Sequence, residues 1–201
     1  KGLPAYFEQG FSWPPFLYSV PIAEMPTSLD EAVACMACAE LLQHDGIAQV
    51  AWWSQLQVAR DWWRRRRQLW LADAELAVKY ASLLTMSEDR VLAIVYYTAD
   101  AVYGPLNEAL RSESWEDVSP FVPYIKLLLT ALTEYVEADK TRCQSLDILH
   151  RGVRADLMET LQHGRDHIVQ WEFTSTSVRA HVGRNFAKGQ SYVQIYDGCG
   201  V

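Results

Sequence analysis

The chain has 201 residues, of which 50% are hydrophobic and 21% charged, a balance that suits a folded domain and excludes a disordered polymer. Its formal net charge of -7 argues against a nucleic-acid surface as the main function. Nowhere does the sequence hold the roughly eighteen uncharged apolar residues that a membrane-spanning helix needs.

The opening Lys1-Gly2-Leu3-Pro4 is not followed by a long apolar run, so it does not read as a signal peptide, and the compartment stays open. Residues 1–26 are rich in proline and aromatics, among them Trp13, Pro14, Pro15, Phe16 and Tyr18, and read as an extended arm. Ser28-Leu29-Asp30-Glu31 is a capping box that predicts a helix start, with Ser28 as N-cap and Glu31 three residues on. Helical character continues to about Leu84, with a break expected at Asp45-Gly46. Tryptophans at 52, 53, 62, 63 and 70 are too bulky for a free helix and predict a packed lobe. Within it, Arg64-Arg65-Arg66-Arg67 reads first as an exposed helix face, with a phosphate or acidic-partner site as the alternative. Cys35 and Cys38 have C-x-x-C spacing, but no second ligand pair follows, so they read as packed small residues and no metal site is expected.

A second capping box, Thr85-Met86-Ser87-Glu88, predicts the next helix. Its apolar positions Val91, Ile94, Val95, Thr98 and Val102 fall on one face, and Gly104-Pro105 is expected to interrupt it. A further helix follows Pro123, with Ile125, Leu128, Leu129, Leu132 and Val136 at helical spacing. Beyond Asp139 the pattern changes to short β-branched or aromatic segments at 146–150, 168–173 and 192–196. Helices first and strands last predict an α+β protein with segregated elements.

Two short elements carry candidate chemistry. Leu149-His150-Arg151-Gly152-Val153 puts a cation before a glycine at a strand end, and Phe173-Thr174-Ser175-Thr176-Ser177 is a run of hydroxyls at another. Each alone is a weak signal, since such residues also serve turns and edge amides. Together with Tyr97-Thr98-Ala99-Asp100-Ala101-Val102-Tyr103-Gly104-Pro105-Leu106-Asn107-Glu108-Ala109-Leu110-Arg111, they follow an order that resembles the arginine-specific mono-ADP-ribosyltransferases. That family has a YT…Y..LN.ALR helix, a strand ending in aromatic-Arg-Gly, a strand ending in F-x-S-T-S, and a loop aromatic matched here by Phe186. His150 stands where the aromatic is usual and keeps a flat ring. The resemblance runs from about Ser87 to Val201.

The resemblance implies a helical lobe followed by the first strands of an ADP-ribosyltransferase-type NAD-binding β-core. It divides the chain into residues 1–84, the arm and Trp-rich lobe, and 85–201, the N-terminal half of the transferase domain. NAD is implied as substrate, with no metal, and ADP-ribose would pass to a protein acceptor, an arginine side chain. Arg151 would hold the pyrophosphate through its donor fork, and Gly152 would let the backbone approach the dinucleotide. Ser175 would orient the nicotinamide ribose, Thr176 would hold the strand end beside it, and Phe186 would stack on the nicotinamide ring. Arg151 and Ser175 are the candidate catalytic pair. The family's catalytic glutamate belongs to an E/Q-x-E motif expected beyond Val201, since Glu113, Glu116 and Glu172 are poorly placed to replace it. A second chain completing the β-core is a further expectation. Two alternatives stand beside the transferase: an NAD glycohydrolase, with water as acceptor, and a non-catalytic interaction module on a degenerate transferase fold.

Overall fold

A computed structural model describes residues 28–41, 47–112, 114–138, 148–152, 181–182, 185 and 193–197. The chain divides into two compact units, one spanning Trp13–Asp139 and one made of Lys1–Ser12 with Lys140–Val201. The first unit is helical. Its elements are α1 (Leu29–Leu41), α2 (Ile47–Ala72), α3 (Ala74–Lys79), α4 (Ala81–Thr85), α5 (Glu88–Tyr97), α6 (Asp100–Ser112), α7 (Trp115–Val118), a 3₁₀ turn (Ser119–Phe121) and α8 (Val122–Ala138).

The capping box at the start of α1 forms as its residue types require. The Glu31 amide donates to Ser28 Oγ at 3.2 Å, and the Ser28 amide donates to Glu31 Oε2 at 3.3 Å, satisfying two orphan donors reciprocally. The Leu29 amide donates to Asp89 Oδ1 at 3.3 Å, which ties the start of α1 to the first turn of α5. Helical character continues to Thr85, as expected, but in three helices, because α2 stops at Ala72. Asp73 adopts an extended backbone, and its carboxylate accepts from the amides of Glu75 and Leu76 at 2.9 and 3.1 Å. A short acidic side chain that competes for backbone donors in this way ends one helix and opens the next. Tyr80 then stacks on Trp70, ring centroids 4.0 Å apart, and α3 folds back against α2 while α4 contacts α8.

The second box behaves differently. Thr85 is the last residue of α4, and its hydroxyl donates back to the carbonyls of Ala81 and Ser82. Ser87 is the N-cap of α5, without a side-chain capping bond. The helix that follows breaks at Thr98–Ala99, and the next helix runs straight through Gly104-Pro105.

Helices α5 and α8 form the centre of the unit. Leu92, Tyr96, Tyr124, Ile125 and Leu128 are buried between and around them, and the Tyr96 and Tyr124 rings meet edge to face at 5.7 Å. Each buried Leu or Ile contributes roughly 1.5–3 kcal/mol by leaving water. Helix α1 presents Leu29, Val33 and Met36 to this core, and α2 presents Trp52, Leu56, Ala59 and Trp63 at helical spacing. Val136, expected on the apolar face of α8, is exposed near its end. Arg60–Asp30 and Arg90–Glu134 ion pairs staple α2 to α1 and α5 to α8 on the outside.

The second unit contains the strands β1 (Ile148–Gly152) and β2 (Val193–Asp197), paired antiparallel with Ile148 opposite Asp197 and Gly152 opposite Val193. The expectation of an α+β fold carrying a β-core is therefore corrected. The described residues are overwhelmingly helical, and this one two-stranded ribbon is not a sheet on which a core could be built. Apolar residues of the last third alternate well enough to suggest strands, but a hydrophobic pattern records only which residues seek burial, not how many strands pair. The segment 168–173 lies outside the described residues.

Candidate functional site

The fifteen-residue segment from Tyr97 to Arg111 spans the end of α5 and most of α6. Thr98 caps α5, its hydroxyl donating to the Val95 carbonyl at 2.7 Å, and the chain turns at Ala99 before restarting at Asp100. Val102, Leu106 and Leu110 are fully buried, four residues apart on the inner face of α6. Asn107 donates from Nδ2 to the Tyr97 hydroxyl at 3.2 Å, closing the two helices across the turn.

Pro105 lies inside α6 and has no amide hydrogen, so the carbonyl of Ala101, four residues earlier, lacks its helical donor. Trp52 of α2 fills the vacancy: its indole Nε1 donates to the Ala101 carbonyl at 2.8 Å. Trp52 is buried, and its own carbonyl accepts from the Tyr96 hydroxyl at 3.0 Å. The Tyr124 hydroxyl donates to the Ala93 carbonyl at 2.8 Å. Burial pushes the Tyr96 phenol well above its ordinary value, and burial followed by the neighbouring Tyr96 and Tyr97 pushes up Tyr124. Both phenols stay neutral at physiological pH and act as donors that orient backbone.

In the other unit, Arg151 and Gly152 are the last two residues of β1. The backbone register sets His150 opposite Ile195, Arg151 opposite Gln194 and Gly152 opposite Val193. Ser175, Thr176 and Phe186, named with them from the sequence, lie outside the described residues. Among the described residues no cluster of three or more His, Cys, Asp or Glu side chains is arranged to hold a metal ion. No helix there is long and apolar enough to cross a membrane.

Compared with known protein families, residues 31–201 match the model of the NAD:arginine ADP-ribosyltransferases. The chain belongs to the NAD:arginine ADP-ribosyltransferase family. Comparisons with curated proteins and with solved structures return no significant match. The family match begins at Glu31, so it takes in the Trp-rich helices as well as the Tyr97–Arg111 segment and β1. Membership carries the general activity, transfer of ADP-ribose with NAD as substrate.

Within this ADP-ribosyltransferase, the sequence pattern missed the residues that support the motif helix. Trp52 reads from the sequence only as bulk to be buried, whereas its indole N–H replaces a missing helix donor 49 residues away. A proline within a helical pattern, together with a tryptophan that must be buried, is a signal that could have paired the two. Tyr96 and Tyr124 carry no sequence signal beyond their hydrophobic positions.

Proposed function

We propose that the protein transfers ADP-ribose from NAD to an arginine side chain of a protein acceptor, with Arg151, Gly152, Ser175, Thr176 and Phe186 gripping the dinucleotide. The observation that carries this reading is Arg151 followed by Gly152 at the end of a strand, inside the region that matches the family. A guanidinium is permanently charged and presents a planar donor fork that suits phosphate oxygens. Glycine beside it leaves room for a pyrophosphate to approach the backbone.

In the proposed reaction the bond between the ribose anomeric carbon and the nicotinamide nitrogen breaks, and the electron pair leaves with nicotinamide. A guanidino nitrogen of the acceptor attacks the anomeric carbon and then loses a proton. Positive charge develops on the ribose in between, so a fixed carboxylate is needed to stabilise it. The family resemblance implies that a glutamate supplies it. Ser175 would orient the ribose, and Phe186 would offer its ring face to the cationic nicotinamide.

Calorimetric titration of the protein with NAD tests the site. Replacing the charged donor in Arg151→Ala should weaken binding about tenfold to a hundredfold, the equivalent of roughly 1.5–3 kcal/mol for a charge-assisted hydrogen bond. Ser175→Ala should weaken it less. Affinity unchanged in both variants would overturn the site and favour a non-catalytic interaction module. The acceptor is tested by nicotinamide release from the protein with and without added free arginine. Release accelerated by arginine, with an ADP-ribosylated product, supports the transferase; release indifferent to arginine identifies an NAD glycohydrolase.

A further inference from the structure

We propose that the outer face of α2 around Trp62 is a docking surface for an acidic, amphipathic peptide segment of a partner protein. Three observations converge there. A groove of about 460 Å³ opens in the helical unit, its walls including Val58, Trp62, Trp63, Leu83, Ile94 and Val95. Val58, Trp62 and Leu69 line up along α2 at steps of four and seven residues, and they remain 56%, 37% and 58% exposed. Arg65 and Arg66 follow Trp62 by three and four residues, so they belong to the same face, and the Arg66 guanidinium lies over the Trp62 ring at 5.7 Å.

The charge on this face is not neutralised by carboxylates of the described residues. Arg64 pairs with Asp61, but among the described residues Arg65, Arg66 and Arg67 form no ion pair. The two guanidiniums of Arg65 and Arg66 beside Trp62, on a chain of net charge -7, run against its average, and opposite charge is what such a patch attracts. Apolar anchors fit the groove, while carboxylates spaced along a helix reach Arg65 and Arg66. A flat lipid surface would leave the recess between α2 and α5 empty. A second copy of this chain would bring seven more negative charges overall.

The probe is a fluorescein-labelled synthetic peptide with leucine at i, i+3, i+4 and i+7 and glutamate elsewhere, compared with the same peptide carrying lysine in place of glutamate. Titrated with the full chain by fluorescence anisotropy, the glutamate peptide should bind at least about tenfold tighter, and added salt should weaken it. R65E/R66E should weaken that binding about tenfold or more, and W62A should do so without reversing any charge. These side chains are exposed, and unchanged circular dichroism and melting temperature of R65E/R66E establish that the fold is kept. Equal affinity for the two peptides, no binding of the glutamate peptide, or binding insensitive to R65E/R66E overturns the proposal. So does stronger association with phosphatidylserine-containing vesicles than with the peptide, or a dimer in sedimentation velocity that R65E/R66E dissolves.

Discussion

The indole Nε1 of Trp52 lies 2.8 Å from the carbonyl oxygen of Ala101, the acceptor that Pro105 leaves without a helical donor. One helix thus supplies a donor that another lacks, and the supported helix carries most of the Tyr97–Arg111 segment.

Trp52→Phe keeps most of the ring but removes the donor, leaving a carbonyl short of a partner in a part-buried place. The expected loss is roughly 1–3 kcal/mol in urea unfolding. Pro105→Ala restores an amide that can reach the same carbonyl. It should therefore recover more stability in the Trp52→Phe background than it adds to the native protein. Additive effects in this double-mutant cycle would mean that the two groups are not coupled.

The buried phenols make stability fall at high pH. Tyr96 and Tyr124 have folded-state pKa values raised above the ordinary 10.0, so both states are neutral below that pH and the full contribution is present. Above it the unfolded chain loses phenol protons while the folded protein holds them. Stability should decline by about 1.4 kcal/mol per pH unit for each tyrosine, starting near pH 10. Tyr96→Phe should reduce that slope by one proton's worth, measured as the pH dependence of unfolding free energy between pH 9 and 11 (about the window in which the unfolded phenol titrates).

The two capping boxes read alike in sequence, and they should answer differently to mutation. Ser28→Ala removes the acceptor for the Glu31 amide and should cost about 1 kcal/mol. Thr85→Ala removes only a hydroxyl that bonds back within its own helix at an exposed position, and should change stability by less than about 0.5 kcal/mol. Thermal melting of the two variants side by side decides the matter.

At the proposed dinucleotide site, Arg151→Lys keeps the charge but loses the planar fork. NAD affinity should fall between the native protein and Arg151→Ala, because a point charge satisfies phosphate less fully than two parallel donors. Lysine binding NAD as tightly as arginine would remove the fork from the explanation.

What could be read in advance followed how local the governing interactions are. The start of α1 was legible because Ser28 and Glu31 satisfy each other within three residues. The burial of Trp52, Trp63 and Trp70 was legible from their size. The break at Thr98–Ala99 was not, because the helix was expected to fail at Pro105, and the donor that rescues it comes from a distant segment. Asp73 is hard to read as a helix breaker for a simpler reason: a single aspartate among alanines and leucines resembles an exposed helix residue until its carboxylate turns back on the chain. The β-core expectation failed because alternation of apolar residues does not count pairing partners. Of the candidate site, the sequence places Arg151 and Gly152 near the end of a strand, and they are the last two residues of β1. Ser175, Thr176 and Phe186 lie outside the described residues.

Pro105 has a consequence for the order of folding. A segment whose middle lacks an amide hydrogen is a poor nucleus, since it must spend nucleation entropy on an incomplete ladder. The Asp100–Ser112 stretch should stay unstructured as a free peptide and become ordered only once the Trp52 side chain has arrived. This helix would then be a late acquisition of the folding chain, templated by the tryptophan-bearing neighbour that precedes it in synthesis.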